Sequence, residues 1–194
     1  MKNCMEKIFA SHLQTIELVA EQLSDSIAES VEVIVNALLA GNKLLVMGNG
    51  GSAAEAQHFV AELVGRFKLE RRPFPAISLV DNVATLTAVG NDFGFEMIFQ
   101  RQVEALANQG DIVLGISTSG NSENILFALQ AANKLGCITF GLLGQDGGKI
   151  AVEVGYPLVV SGQSTPRIQE AHLTIIHILC ELIEKQLFHE GVVN

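Results

Sequence analysis

The sequence lacks tryptophan, has one tyrosine and four prolines, and carries little positive charge. Among its 194 residues, 12 are Lys or Arg and 21 are Asp or Glu, which gives a formal net charge of −9. So acidic a chain has no general electrostatic attraction for nucleic acid or for an anionic membrane, and we expect neither as a partner. It also lacks a run of about 18 uninterrupted apolar residues, so no transmembrane helix is expected.

Cysteine is scarce as well. Cys4, Cys137 and Cys180 are odd in number and scattered, which indicates reduced thiols rather than a disulfide framework. The first residues alternate between charged and apolar side chains and lack the apolar stretch of a signal peptide. Both observations favour a cytoplasmic protein.

The composition is that of a folded chain, with 48% hydrophobic and 17% charged residues. The length favours a single domain spanning 1–194. Apolar residues recur at helical spacing between Glu6 and Leu39, so we expect a helical segment over 1–40 that serves oligomerisation and an α/β core over 41–194.

Short apolar runs alternate with amphipathic helices through that core. The predicted strands are Lys43–Gly48, Ala76–Val80, Asp111–Ile116, Cys137–Leu143 and Tyr156–Val160, and the predicted helices are Ala53–Phe67, Phe95–Ala107, Glu123–Leu135 and Ile168–Phe188. This alternation predicts a parallel sheet covered on both faces. Ligands of such sheets bind beyond the carboxyl ends of the strands.

The segment Gly48-Asn49-Gly50-Gly51-Ser52-Ala53 follows the first predicted strand and matches the dinucleotide-binding pattern G-x-G-x-x-A. An acidic residue should then lie about 20 residues further on, but the nearest one at a strand end is Asp81. A nicotinamide cofactor is therefore not expected. The alternatives are a tight turn that glycine permits or a turn that also brings backbone N–H groups to an anion.

The segment Ser117-Thr118-Ser119-Gly120-Asn121-Ser122 follows the third predicted strand and has four hydroxyls in six residues. Hydroxyls and backbone N–H groups can bind a phosphate without lysine. The G-K-[ST] ending of a nucleotide triphosphatase loop is missing. A helix N-cap needs only one hydroxyl, so the four favour a phosphate site.

Polar side chains also interrupt two predicted helices. His58 and Glu62 are four residues apart and share a helix face. This spacing suits two metal ligands, a base with its partner, or a solvated surface pair. His177 lies in an apolar run eight residues after Gln169, and by position alone a core histidine with a hydrogen-bond partner is the more common case.

A further polar segment, Asn91-Asp92-Phe93-Gly94, has the composition of a turn. We expect Phe95 and Phe99, which follow it, to lie in the core.

Five segments occur in order along the chain: GNGGSAAEAQHFVAELVGRF, GNDFGFE, GDIVLGISTSGNSENI, DGGKIA and RIQEAHLTIIHILCELIE. Together they resemble the phosphoheptose isomerases of the sugar isomerase (SIS) domain family, over essentially the whole chain. The resemblance implies a flavodoxin-like, doubly wound, three-layer α/β sandwich with a five-stranded parallel sheet and a long N-terminal helix.

The resemblance also implies an aldose–ketose isomerase that converts sedoheptulose 7-phosphate to D-glycero-D-manno-heptose 7-phosphate for lipopolysaccharide synthesis. It implies a homotetramer with active sites between subunits and one Zn²⁺ per subunit. The implied zinc ligands are His58, Glu62, Gln169 and His177, and Glu62 and His177 are the implied catalytic base and its acid–base partner. The implied substrate contacts are Asn49, Gly50, Gly51, Ser52, Glu62, Arg66, Asn91, Asp92, Ser117, Thr118, Ser119, Ser122 and Gln169.

Two other functions remain open within the same family. One relative is a non-catalytic adaptor of the replication initiator DnaA in which the glutamate and histidine corresponding to Glu62 and His177 are replaced. Both are present here, which favours the enzyme. A sugar-phosphate sensor is the other alternative, although no DNA-binding segment is attached. One departure is Pro166, where some isomerases have an acidic residue, so an auxiliary role for that acid is not expected here.

Overall fold

The computed structural model describes residues 1–162 and 164–189. Residues 163 and 190–194 of the predicted 1–194 domain lie outside the described residues. The elements follow one another in this order: α1 (Lys2–Leu39), β1 (Leu44–Gly48), α2 (Gly51–Val64), β2 (Ala76–Ser78), α3 (Val83–Phe93), a 3₁₀ turn (Phe95–Met97), α4 (Gln100–Leu106), β3 (Ile112–Ser117), α5 (Glu123–Lys134), β4 (Ile138–Gly144), α6 (Gly148–Ala151), β5 (Tyr156–Val160) and α7 (Thr165–His189).

The strands form a parallel sheet in the order β2-β1-β3-β4-β5. Every residue of β1 and β3 is buried, as expected of strands covered on both faces. This confirms the predicted flavodoxin-like, doubly wound sandwich. The direction of winding reverses between β1 and β3, and ligands of open α/β sheets bind at such a switch point.

Two helical layers cover the sheet. Helices α1, α2 and α7 bury one apolar cluster that includes Val46, Phe59 and Ile176, and α4, α5 and α6 bury the other. Among the described residues, no helix has the length and hydropathy that a membrane span requires.

The 38-residue helix α1 packs on the sheet only over its second half, because its buried residues begin at Val19. Its first half extends beyond the core and exposes Met5, Ile8, Phe9 and Leu13 by 48–66%. Exposed apolar patches of this kind mark surfaces that bind another protein.

The structure corrects the predictions around residues 83–99. Asn91 and Asp92 lie in the last turn of α3 rather than in an open turn, and Gly94 ends that helix with a φ of 98°. Asn82 caps its start by accepting a hydrogen bond from the Thr85 N–H. The predicted single helix 95–107 is a 3₁₀ turn followed by α4.

The two aromatic residues in this region differ. Phe99 is buried at 1% exposure, as predicted, whereas the prediction for Phe95 was wrong because 64% of it is exposed. Phe95 opens the 3₁₀ turn, and the change of helix type gives the two rings different directions.

A buried carboxylate lies at the start of the central strand β3, at the end of the sheet opposite the loops that follow β1 and β3. Asp111 accepts hydrogen bonds from the backbone N–H groups of Lys43 and Asn108 and from Lys43 Nζ. Burial raises the pKa of Asp111, but the hydrogen bonds and the Lys43 charge outweigh burial and hold it below 3.8. The interaction therefore stabilises the folded chain above about pH 4, and this stabilisation is lost as the pH falls through the lowered pKa.

We expect Asp111→Asn to lower the free energy of unfolding by about 1–3 kcal/mol at pH 7, because it leaves buried donors unpaired. The difference from the unmodified chain should begin to shrink below about pH 4, where the carboxylate of the unfolded chain becomes protonated, and it should disappear as the pH falls through the lowered pKa of the folded chain. Urea unfolding at several pH values measures both effects. A difference that does not depend on pH would contradict the assigned role of the charge.

Candidate active site

The loop between β1 and α2 brings its backbone close to α7. Gly50 has a φ of 57° and precedes α2, which glycine allows without strain. The next residue, Gly51, lies against the Gln169 side-chain amide, and a side chain at position 51 would displace that amide. The predicted contacts Gly51 and Gln169 are therefore adjacent. Ser52, also predicted, is 3% exposed.

The loop between β3 and α5 collects the predicted hydroxyls. Ser117 Oγ lies 3.0 Å from Ser122 Oγ and 3.5 Å from Ser119 Oγ. Gly120 has a φ of 64° and packs on the backbone carbonyl of Gly147, so this position requires glycine. The hydroxyls cluster beside the N-terminus of α5, and such a combination of hydroxyls with a helix N-terminus suits a phosphate.

Asn49 and Asn124 join the two loops. The Nδ2 of each amide donates to the Oδ1 of the other, both at 2.9 Å. Asn124 is 3% exposed. The pair fixes the β1 loop against the start of α5 at the switch point of the sheet. Asn49 is one of the contacts predicted from the sequence, whereas Asn124 is not; the signal for it is its place in the first turn of the helix that follows the serine-rich loop.

Helices α2 and α7 meet along a row of polar side chains. His58 Nε2 lies 2.8 Å from His177 Nε2 and 3.5 Å from Glu62 Oε1. In such a contact one imidazole nitrogen donates and the other accepts. His58 is 40% exposed and Glu62 is 24% exposed, so both side chains reach solvent. Solvent access leaves them available to a substrate.

His177 is thus not an isolated core histidine. The Phe67 ring packs on it with the ring centroids 5.5 Å apart. The donor set of two imidazoles and a carboxylate is one that zinc binds. Among the described residues, however, no three His, Cys, Asp or Glu side chains are arranged to hold a metal ion as they stand.

A second histidine–glutamate pair lies deeper between the same helices. His172 Nε2 donates to the Leu143 carbonyl at 3.0 Å, so the other ring nitrogen, Nδ1, faces Glu55 Oε2 at 3.7 Å. Both facing atoms are buried and have no hydrogen-bond partner in the part of the chain that the structure describes. Sequence analysis missed Glu55, although it lies between Gly51 and His58 on one face of α2.

The remaining predicted contacts lie elsewhere in a single chain. Arg66 is exposed just after α2, and Thr118 is half-buried in the serine loop. Asn91 and Asp92 are exposed, with Asn91 Nδ2 donating to Asp92 Oδ1 at 2.8 Å. They lie on α3, on the opposite side of the sheet from α2 and α7. Gln169 lies eight residues before His177 on α7, about 12 Å along the helix axis.

An open, doubly wound sheet with a hydroxyl-rich loop at its switch point defines a ligand-binding α/β domain. Comparison with known proteins agrees. The SIS domain family model matches residues 8–144. The phosphoheptose isomerase of Geotalea daltonii is 61% identical over 180 residues, which cover 93% of this chain and 94% of the relative.

Solved structures agree with the sequence relatives. The phosphoheptose isomerase of Francisella tularensis superposes with a TM-score of 0.91 at 41% identity, covering 94% of this chain and 97% of that chain. The phosphoheptose isomerase GmhA of Neisseria gonorrhoeae gives 0.90 at 37% identity, with coverages of 95% and 98%. The chain therefore belongs to the SIS domain family and, within it, to the phosphoheptose isomerases, which are aldose–ketose isomerases.

Proposed function

We propose that this enzyme converts sedoheptulose 7-phosphate to D-glycero-D-manno-heptose 7-phosphate, for the activated heptose of lipopolysaccharide. The observation that carries the proposal is the meeting of His58, Glu62 and His177 between α2 and α7, in a chain that also has a hydroxyl cluster after β3. A cluster of hydroxyls and helix N–H groups suits the 7-phosphate, and a glutamate with two histidines suits acid–base chemistry. Relatives named phosphoheptose isomerase support the choice of substrate.

The reaction transfers a proton between C1 and C2 through an enediolate, and so it requires a base, an acid and stabilisation of an oxyanion. Glu62 is the proposed base, because a carboxylate that reaches solvent beside an imidazole can accept the carbon-bound proton. His177 holds or delivers a proton at Nε2, the atom that faces His58. Ser117, Ser119 and Ser122 anchor the phosphate and so fix the reacting end.

Zinc is part of the proposal, with His58, Glu62, His177 and Gln169 as ligands. When bound, the ion would polarise the substrate oxygens as a Lewis acid. The two imidazoles, whose Nε2 atoms are hydrogen-bonded at 2.8 Å, would have to give up that bond to hold the ion. The Gln169 amide would have to turn away from Gly51.

The test is purified protein incubated with sedoheptulose 7-phosphate, with and without added Zn²⁺, while the aldose product and the bound metal are measured. Formation of the aldose heptose phosphate supports the proposal. No turnover under either condition contradicts the isomerase and favours a non-catalytic adaptor of the replication initiator. Turnover without bound zinc contradicts only the proposed zinc site.

We further propose a homotetramer with active sites between subunits. The exposed apolar residues of α1, together with Val83, Phe93 and Phe95 at 51–67% exposure, are the proposed contacts. We expect a tetramer in sedimentation at micromolar concentration, and we expect Phe9→Asp to weaken it, because a buried unpaired charge is costly. Phe9→Leu is the control that keeps the surface apolar. A monomer of the unmodified chain would contradict the proposal.

A further inference from the structure

One carboxylate on α7 organises the segment that follows α2. The Glu184 side chain is 1% exposed. Its oxygens accept hydrogen bonds from the backbone N–H groups of Phe67, Lys68 and Leu69 at 2.9–3.0 Å and from Arg71 Nε at 2.7 Å. These contacts hold the pKa of Glu184 below 4.5 although burial alone would raise it. The carboxylate therefore fixes three consecutive backbone units.

Its partner Arg71 caps the end of α2. The guanidinium is fully buried. Its Nη1 donates to the Leu63 carbonyl at 2.8 Å, and its Nη2 donates to the Glu62 carbonyl at 2.8 Å. The last carbonyls of a helix lack intrahelical partners, and these bonds satisfy two of them. Arg71 thus holds the backbone of the proposed base.

The same network also reaches the proposed acid. Glu184 lies seven residues after His177, so both project from one face of α7. The N–H of Phe67 is bound to Glu184, and the ring of Phe67 packs on the His177 imidazole. One buried ion pair therefore links the backbone of Glu62 to the ring that supports His177.

We propose that Arg71 and Glu184 are positioning residues for the isomerase, which set the relative placement of Glu62 and His177 without touching substrate. This inference rests on the proposed function for its catalytic consequence. A buried ion pair is weak evidence for stability, because apolar residues of similar volume often stabilise as well or better. This pair also contacts the backbone of Glu62, Leu63 and Phe67, and through these contacts it affects the geometry of the site.

Glu184→Gln tests the proposal directly. An amide has one acceptor oxygen, so it cannot accept all four hydrogen bonds, and its NH₂ group would face donors. We expect kcat to fall about 10- to 100-fold, since small misplacements in active sites have effects of this size. KM should stay within about twofold, because the serine loop is unaffected.

A measurement without substrate separates geometry from activity. In protein labelled with ¹³C-histidine, the His177 ring proton signal, assigned by its absence in His177→Asn, reports the position of the Phe67 ring. We expect this signal to shift in Glu184→Gln. If the signal shifts but the unmodified chain has no isomerase activity, the proposed function fails while the positioning survives.

Two variants control for stability. Asp111→Asn removes another buried carboxylate, at the start of β3, that accepts hydrogen bonds from backbone N–H groups and a lysine but contacts neither Arg71 nor Glu184. It should lower the melting temperature with kcat unchanged. The double variant Arg71→Met with Glu184→Met leaves no unpaired buried charge and should fold, yet still lose kcat. Unchanged kcat and an unmoved His177 signal in either Glu184 variant would overturn the proposal.

Discussion

Glu62→Gln and His177→Asn are each expected to lower the turnover of sedoheptulose 7-phosphate by about 10²- to 10⁴-fold, the usual contribution of a general acid or base. Glutamine keeps an oxygen that accepts hydrogen bonds but cannot take up a proton at neutral pH. Asparagine keeps one donor and one acceptor toward His58, which limits the cost of an unpaired group. The measurements are steady-state turnover, melting temperature and oligomeric state.

Glu181→Gln is the matched control, because Glu181 is a carboxylate on α7, the helix of His177, and is paired with Lys68 and Lys185 near the surface. Its removal should leave turnover unchanged. If Glu62 and His177 are only a solvated carboxylate and a packing residue, the first variant will be silent and the second will lose activity only as it loses stability. Wild-type turnover in both folded variants would refute the catalytic assignment.

Ser119→Asp is expected to raise KM for the phosphorylated substrate at least about 100-fold. At pH 7 a phosphate monoester carries about −1.5 to −2 charges, and a carboxylate placed beside it repels it. Ser119 is half-exposed, and its Oγ accepts a hydrogen bond from the Asn121 N–H at 3.2 Å. The folded chain should therefore tolerate the change. The measurement is KM from initial rates together with the melting temperature.

The control for charge is Ser119→Asn, which has nearly the size of aspartate and no charge. We expect its KM to lie much closer to that of the unmodified chain. Equal KM values for the two variants would show that the loop does not hold the phosphate. A fall in kcat with unchanged KM would place the loop in the chemistry rather than in phosphate binding.

The sequence carried enough information to predict the layers and the loops. The strands of the core are short apolar runs, and the runs that form β1 and β3 are followed by segments rich in the turn-forming residues Gly, Ser and Asn. This local chemistry predicted both loops of the site. It failed for α3, whose Val, Thr and Gly residues are poor helix formers. There the Asn82 cap and packing of Leu86 and Val89 on the second apolar cluster decide the conformation.

Residue by residue, the sequence by itself determined which side chains were polar on each helix, including His58, Glu62 and His177. Only the tertiary structure decided which of them meet. His58 and His177 are 119 residues apart, and Arg71 and Glu184 are 113 apart. The spacing of apolar residues along a helix specifies which face of that helix is apolar, but not which strand or helix packs against that face. That choice follows from the strand order, which places β1 beside β3, and from the common burial of α2 and α7 on one side of the sheet.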